Sequence, residues 1–129
     1  MTETANLETI ILSGVVHNEE FMRKVMPHVQ EKYFVDTEHK TIWNVLSTYS
    51  NEYNAMPSRE VLHIELKSME NINESVYQDS SELINKLYGD KAREAVEKSS
   101  KEWLSSATEK YCLERSVSPS VVYATHSID

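Results

Sequence analysis

The 129-residue sequence predicts an all-α fold, a small orthogonal helical bundle followed by a long C-terminal helical arm. The chain has only two glycines and three prolines, which leaves little material for hairpins or glycine-rich loops. Apolar residues recur at helical spacing in most segments, and a hydrophobic fraction of 40% is typical of a folded globular protein. We therefore expect one modest helical core.

The first two helices are predicted from capping residues and apolar spacing. Asn6 can cap a helix that is apolar over most of its circumference. Gly14 within it could let a neighbour approach closely, although a weak point near the helix end would explain the glycine equally well. Asn18 can cap a second helix with an acidic first turn. Pro27 should end or kink that helix because proline lacks a backbone donor.

Three more helices follow before the arm. Asp36 or Thr37 can cap a third helix that runs to about Tyr53, with apolar residues on one stripe. Ser58 then begins a fourth helix, and Gly89 stands where a fifth helix should end. We find no internal repeat in this part of the sequence.

The arm begins as an uninterrupted helical pattern from Asp90 to Arg115, with no glycine or proline. Its narrow apolar stripe suits a contact between helices better than the wide face of a core helix. Either the rest of the chain or another copy must cover this stripe. The first five helices carry enough apolar residues for their own core, so we expect an intermolecular surface. Its predicted residues are Trp103, Leu104, Ala107, Tyr111, Val117, Val121 and Val122.

The boundaries we predict are a helical globule over residues 1–98 and an arm for self-association over residues 99–129. Pro119 costs a helix interior about 3 kcal/mol, so we expect a kink near Val117 and Ser118. Ser118 could alternatively cap a helix that restarts at Pro119.

Charge and composition exclude several classes of function. The formal net charge is −8, shared evenly between the two halves, and there is no basic patch of the kind that neutralises phosphates. Direct binding of nucleic acid or anionic membrane is not expected. The N-terminus lacks the basic region of a signal peptide, and no apolar run could span a bilayer. With one cysteine, Cys112, the chain fits a reducing compartment, and we expect a cytoplasmic protein.

No motif for catalysis, cofactor or metal binding is present. The two glycines are too few for a phosphate-binding loop, and no cysteine and histidine cluster suggests a metal site. We interpret the histidines as surface or helix-end residues. An enzyme using His39 with His63, or Cys112, is the weakest hypothesis, because no spacing brings a base to the thiol.

Four segments together resemble the N-terminal domain of the replicative helicases of T4-like phages, divergent relatives of the DnaB family. They are LETIILSGVV, FMRKVMPHVQEKYF, NEYNAMPSREVLHIEL and EWLSSATEKYCLERS. The similarity extends over nearly the whole chain and depends on the order and spacing of many residues rather than on one motif.

The resemblance implies a non-catalytic scaffold domain that packs against its copies in a ring and offers surfaces to primase and to helicase loaders. It also implies that the arm, from Glu102 to about Ile128, is the first half of a helical hairpin. The returning half and the ATPase domain would lie beyond Asp129, so we expect a truncated chain without catalytic residues. The resemblance implies a straight arm, and Pro119 is a departure from that pattern because proline disrupts the interior of a helix.

A different class of function remains open. The chain could be a free-standing helical adaptor that binds a phage or host protein as a monomer. A gene that stops after Asp129 would favour the adaptor, whereas a phosphate-binding loop further downstream would favour the helicase domain.

Overall fold

The computed structural model describes residues 2–116, with side chains from residue 6 onward. Over this range the chain is helical, with no strand, which confirms the all-α prediction. No helix in this range is both long and apolar enough to cross a membrane. The helices are α1 (Thr2–His17), α2 (Glu19–Val25), α3 (Thr37–Tyr53), α4 (Arg59–Lys67), α5 (Glu74–Leu87), α6 (Asp90–Lys98) and α7 (Lys101–Ser116), with a short 3₁₀ turn at Glu31–Tyr33.

Helix α1 lies at the centre of the molecule. It contacts α2, α3, α5, α6 and α7, and the side chains of Ile11, Leu12 and Val15 are completely buried. The helix begins at Thr2, so the prediction that Asn6 caps it is wrong. Apolar residues around most of the helix explain its central position, because each side can pack against a different neighbour.

The predicted boundaries of the next helices are largely confirmed. The Asn18 side chain accepts a hydrogen bond from the Phe21 amide and caps α2, which ends before Pro27. Asp36 is the N-cap residue of α3, and Ser58 caps α4 by accepting from the Val61 amide. The caps at Asn18 and Ser58 are local, because each side chain satisfies a free amide within its own helix.

Helices α3, α4 and α5 contact one another, and α5 also contacts α1 and α6. Trp43 of α3 packs on Phe34 in a tilted arrangement with ring centroids 5.5 Å apart. The Tyr88 hydroxyl donates to the carbonyl of Pro57 at 2.7 Å, which joins the end of α5 to the segment before α4.

The single long helix predicted from Asp90 is wrong, because it is broken between Lys98 and Lys101. The Ser100 side chain accepts from the Trp103 amide at 3.0 Å and so starts a new helix. Helix α5 ends at Leu87, so the predicted stop at Gly89 is confirmed, and Gly89 is also the residue that precedes α6. Serine is a common N-cap residue, so Ser100 was a signal in the sequence that a helix starts there. The charge pairs around it favour one continuous helix instead.

Helix α7 packs on α1, α2 and the 3₁₀ turn. The expectation that the first five helices close the core among themselves is therefore wrong. Gly14 makes the close approach possible: a Cβ atom there would lie 2.8 Å from the Phe21 ring and 3.1 Å from the Leu104 side chain. The prediction that Gly14 admits a close neighbour is confirmed.

Candidate functional site

A buried carboxylate on α1 lies beneath the last helix. The Glu8 side chain is 0% exposed, and it shares a face of α1 with Ile11, Leu12 and Val15 at helical spacing. Burying a charge costs free energy unless other groups hydrogen-bond to it. Glu8 therefore requires several partners from other elements.

Three donors surround this carboxylate. Its Oε1 atom lies 2.6 Å from Nδ1 of His39, and its Oε2 atom accepts from the Val35 amide at 3.0 Å and from the Tyr111 hydroxyl at 2.6 Å. We call Glu8, the backbone of Tyr33 and Val35, and the side chains of His39 and Tyr111 the Glu8 cluster. Its members come from α1, the 3₁₀ turn, the segment between that turn and α3, α3 itself and α7, so the cluster joins five parts of the chain.

The hydrogen bonds decide the ionisation of the cluster. Burial alone would raise the pKa of Glu8, but the hydrogen bonds from His39, Tyr111 and the Val35 amide outweigh it and hold that pKa below its ordinary value. Burial, followed by the bond to the Glu8 carboxylate, raises the pKa of Tyr111. Glu8 is thus an anion and Tyr111 a neutral donor at neutral pH.

A second contact holds helix α7 in place, at the carbonyl of Tyr33 in the 3₁₀ turn. The Tyr33 carbonyl accepts from Nε of Arg115 at 2.8 Å and also lies 2.8 Å from the Tyr111 hydroxyl. The Phe34 ring lies between His39 and Tyr111, with centroid distances of 6.4 Å and 6.0 Å. Polar and aromatic contacts together fix the orientation of α7.

The predicted interface residues divide into two groups. Leu104 and Tyr111 are buried in the core of this chain, whereas Trp103 is 49% exposed and Ala107 is half-buried. An intermolecular role for Leu104 and Tyr111 would require α7 to leave the globule. The remaining three predicted residues and the predicted kink at Pro119 lie outside the described part of the chain; the residues are Val117, Val121 and Val122.

The outer side of α7 combines exposed and half-buried apolar residues. Trp103 and Ala107 lie one helical turn apart on the same side of α7, and we call these two residues the α7 outer face. Leu113, which is 63% exposed, lies about 120° around the helix from Ala107. Beside Leu113, α2, the loop after α2 and α7 enclose a groove of about 360 Å³, whose lining includes Val25 and Val29.

The histidines and the cysteine do not share a reactive arrangement. His39 is buried and bonded to Glu8, so its interpretation as a surface residue is wrong, although it does lie in the first turn of α3. His63 lies 3.1 Å from the side-chain oxygen of Asn85. Burial raises the pKa of the Cys112 thiol, which is the opposite of what activates a nucleophile.

Sequence reasoning missed Glu8 and Arg115 as structural residues. For Glu8 a signal was available, since a carboxylate on the same helical face as three large apolar residues demands buried partners. For Arg115 there was none. Its acceptor is a backbone carbonyl 82 positions away, and only the tertiary structure brings the two together.

The fold and site define a small helical domain, and its sequence contains no phosphate-binding loop. The family model described as the DnaB-like helicase N-terminal domain matches residues 1–96, and the chain belongs to this family. It is 29% identical over 108 residues to the DnaB-like replicative helicase of Enterobacteria phage T4. The match covers 84% of this chain and 21% of the relative, so the chain spans about a fifth of the length of the curated protein it matches.

Proposed function

We propose that this chain is the assembly and docking domain of a replicative DNA helicase that acts in the cytoplasm of a bacterial host. It would join copies into a hexameric ring and offer surfaces to primase and to the helicase loader, while a separate ATPase domain drives unwinding. The observation that carries the proposal is the α7 outer face, held on the globule by the Glu8 cluster with Trp103 exposed.

The rigid attachment of α7 supports a role in assembly. A surface that is fixed before binding loses less conformational entropy when it meets a partner. Exposed tryptophans on such surfaces often dominate the binding energy, because they bury a large area with few rotatable bonds. The sequence predicts that Val117, Val121 and Val122 continue the apolar stripe of the arm over residues 99–129, and these three residues lie outside the described part of the chain.

The charge of the chain supports protein partners rather than DNA. A net charge of −8 opposes contact with phosphates, whereas an acidic surface suits a basic region of a primase or loader. DNA contacts of the whole helicase would then be made elsewhere in the protein.

Sedimentation of this chain tests the assembly role. The parent should show an average mass that rises with concentration, and Trp103→Glu should stay monomeric because a charge replaces the apolar anchor. Tyr53→Glu is the matched control, since Tyr53 is 58% exposed at the end of α3, away from α7. A parent that stays monomeric at its highest soluble concentration contradicts the proposal, as does equal loss of assembly in both variants.

The second candidate is a monomeric adaptor, which the groove between α2 and α7 favours. A groove of about 360 Å³ bordered by Leu113 could take an apolar side chain of a phage or host protein. The gene sequence after codon 129 separates the candidates. A phosphate-binding loop within the following few hundred bases supports the helicase domain, and a stop codon there supports the adaptor.

A further inference from the structure

We propose that Glu8, Asp36 and His39 form a binding site for a divalent cation of the zinc class. One ligand atom from each of these three side chains lies within 4.8 Å of the other two. Glu8 comes from α1, Asp36 from the residue before α3 and His39 from the first turn of α3. A nitrogen and two carboxylate oxygens are a ligand set that zinc accepts.

The two buried side chains of the site, Glu8 and His39, are already oriented toward one another. The Val35 amide and the Tyr111 hydroxyl hold Oε2 of Glu8, so Oε1 points to Nδ1 of His39. Carboxylates that bind metals are usually held in this way by hydrogen bonds to neighbouring groups. Glu8 is 0% exposed and His39 is 4% exposed, so neither side chain has much freedom to turn away.

The third ligand, Asp36, lies on the solvent-facing side of the site, and its side chain is free of the bond expected at its position. It occupies the N-cap position of α3, where aspartate commonly accepts a hydrogen bond from the helix, but its side chain makes no such bond. Its Oδ2 atom instead lies 3.7 Å from Nδ1 of His39. The Asp36 side chain is 42% exposed, so this oxygen can reach a cation that arrives from solvent.

A surface cleft reaches two of these three residues. It has a volume of about 440 Å³, and Asp36 and His39 are part of its lining. Its lining also carries three more carboxylates and one lysine, at Glu38, Asp79, Glu82 and Lys86. The excess of negative charge attracts cations, and the open space leaves room for water molecules as further ligands.

Binding would replace the hydrogen that now lies between His39 and Glu8. Zinc lies about 2.0 to 2.2 Å from nitrogen and oxygen ligands, so the present 2.6 Å between Nδ1 and Oε1 would widen to about 3 Å. A histidine ring that binds zinc through Nδ1 is neutral and carries its hydrogen on Nε2. Affinity should therefore fall as the pH falls, because protons compete for the ligand atoms. Magnesium prefers six oxygen ligands and should bind more weakly.

Calorimetric titration of the chain with zinc chloride tests the site. The parent should bind one zinc ion per chain, and zinc should raise its melting temperature because the ion binds the folded state. Asp36→Asn keeps a good capping residue but removes the charged ligand, and it should lower the affinity by about tenfold or more. Glu82→Gln is the matched control: it changes the charge of the same cleft and should alter the affinity by less than about threefold.

Three outcomes would overturn the site. One is an absence of saturable zinc binding to the parent. Another is equal zinc affinity of the parent and Asp36→Asn, which would mean that Asp36 is not a ligand and that zinc binds other side chains on the surface. The third is equal binding of magnesium and zinc, which would mean a general attraction to the acidic cleft. None of these readouts depends on self-association, so the result is independent of the proposed function.

Discussion

The Tyr111 hydroxyl donates a hydrogen bond to Oε2 of Glu8 at 2.6 Å, across 103 positions of the sequence. This contact joins the first and last described helices directly. The same hydroxyl lies 2.8 Å from the Tyr33 carbonyl, so the loop before α3 is part of the connection. The position of α7, and with it the α7 outer face, depends on a polar contact inside the core.

Replacing Tyr111 with phenylalanine tests this contact. The ring still fills its place beside Phe34, but Glu8 loses one donor, so we expect the free energy of unfolding to fall by about 1–3 kcal/mol. Urea denaturation measures the change. Tyr77→Phe is the control, because Tyr77 is half-buried and the structure shows no hydrogen bond from its hydroxyl. Equal, small effects of the two substitutions would mean that the Tyr111 bond contributes nothing.

The lowered pKa of Glu8 makes stability depend on pH. A carboxyl group with a lower pKa in the folded state stabilises the protein fully above its unfolded pKa, and that contribution is lost as the pH falls through the folded pKa. The loss should therefore occur below the ordinary value of 4.5. Glu8→Gln should be less stable than the parent at neutral pH, and the difference should shrink as the pH falls through this window.

Urea denaturation at a series of pH values measures this difference. Glu60→Gln is the control, since hydrogen bonds from its own backbone and from Arg59 lower the pKa of Glu60 at a fully exposed site. Solvent screens that interaction, so the control should follow the parent closely. A difference between parent and Glu8→Gln that stays constant with pH would contradict the ionised, hydrogen-bonded state of Glu8.

Gly14→Ala tests the close packing of α1, α2 and α7. Alanine favours a helix by about 1 kcal/mol over glycine, but the added Cβ would lie 2.8 Å from the Phe21 ring. We expect overpacking to dominate and to lower the free energy of unfolding by about 1–3 kcal/mol. Phe21→Leu should relieve part of this cost in a double-mutant cycle measured by thermal unfolding. A more stable Gly14→Ala variant would show that the ring moves aside freely.

Several helix boundaries were predictable because their causes are local. Asn18 and Ser58 each bond an amide three residues ahead, and Pro27 removes a donor at its own position. The resemblance to DnaB-like domains was also visible in the sequence. The break before Lys101 was not predicted, although Ser100 caps the new helix. The charge pairs along this segment favour an unbroken helix as much as Ser100 favours a new start.

The apolar stripe of α7 shows the limit of periodic patterns. Spacing indicates that Leu104 and Tyr111 lie toward one side of the helix, but it does not indicate what covers them. The structure covers both with α1, α2 and the 3₁₀ turn and leaves Trp103 exposed. The interface role of Trp103 and Ala107 stays a prediction for the sedimentation experiment.

The sequence by itself determined the helical class, the N-cap residues of α2, α3 and α4 and the family of this domain, because these depend on neighbouring residues or on the order of many residues. Only the tertiary structure decided that Glu8 meets His39 and Tyr111, and that α7 closes the core. These contacts join residues 31 and 103 positions apart. A buried carboxylate must find donors somewhere, but which donors reach it is set by how the helices pack.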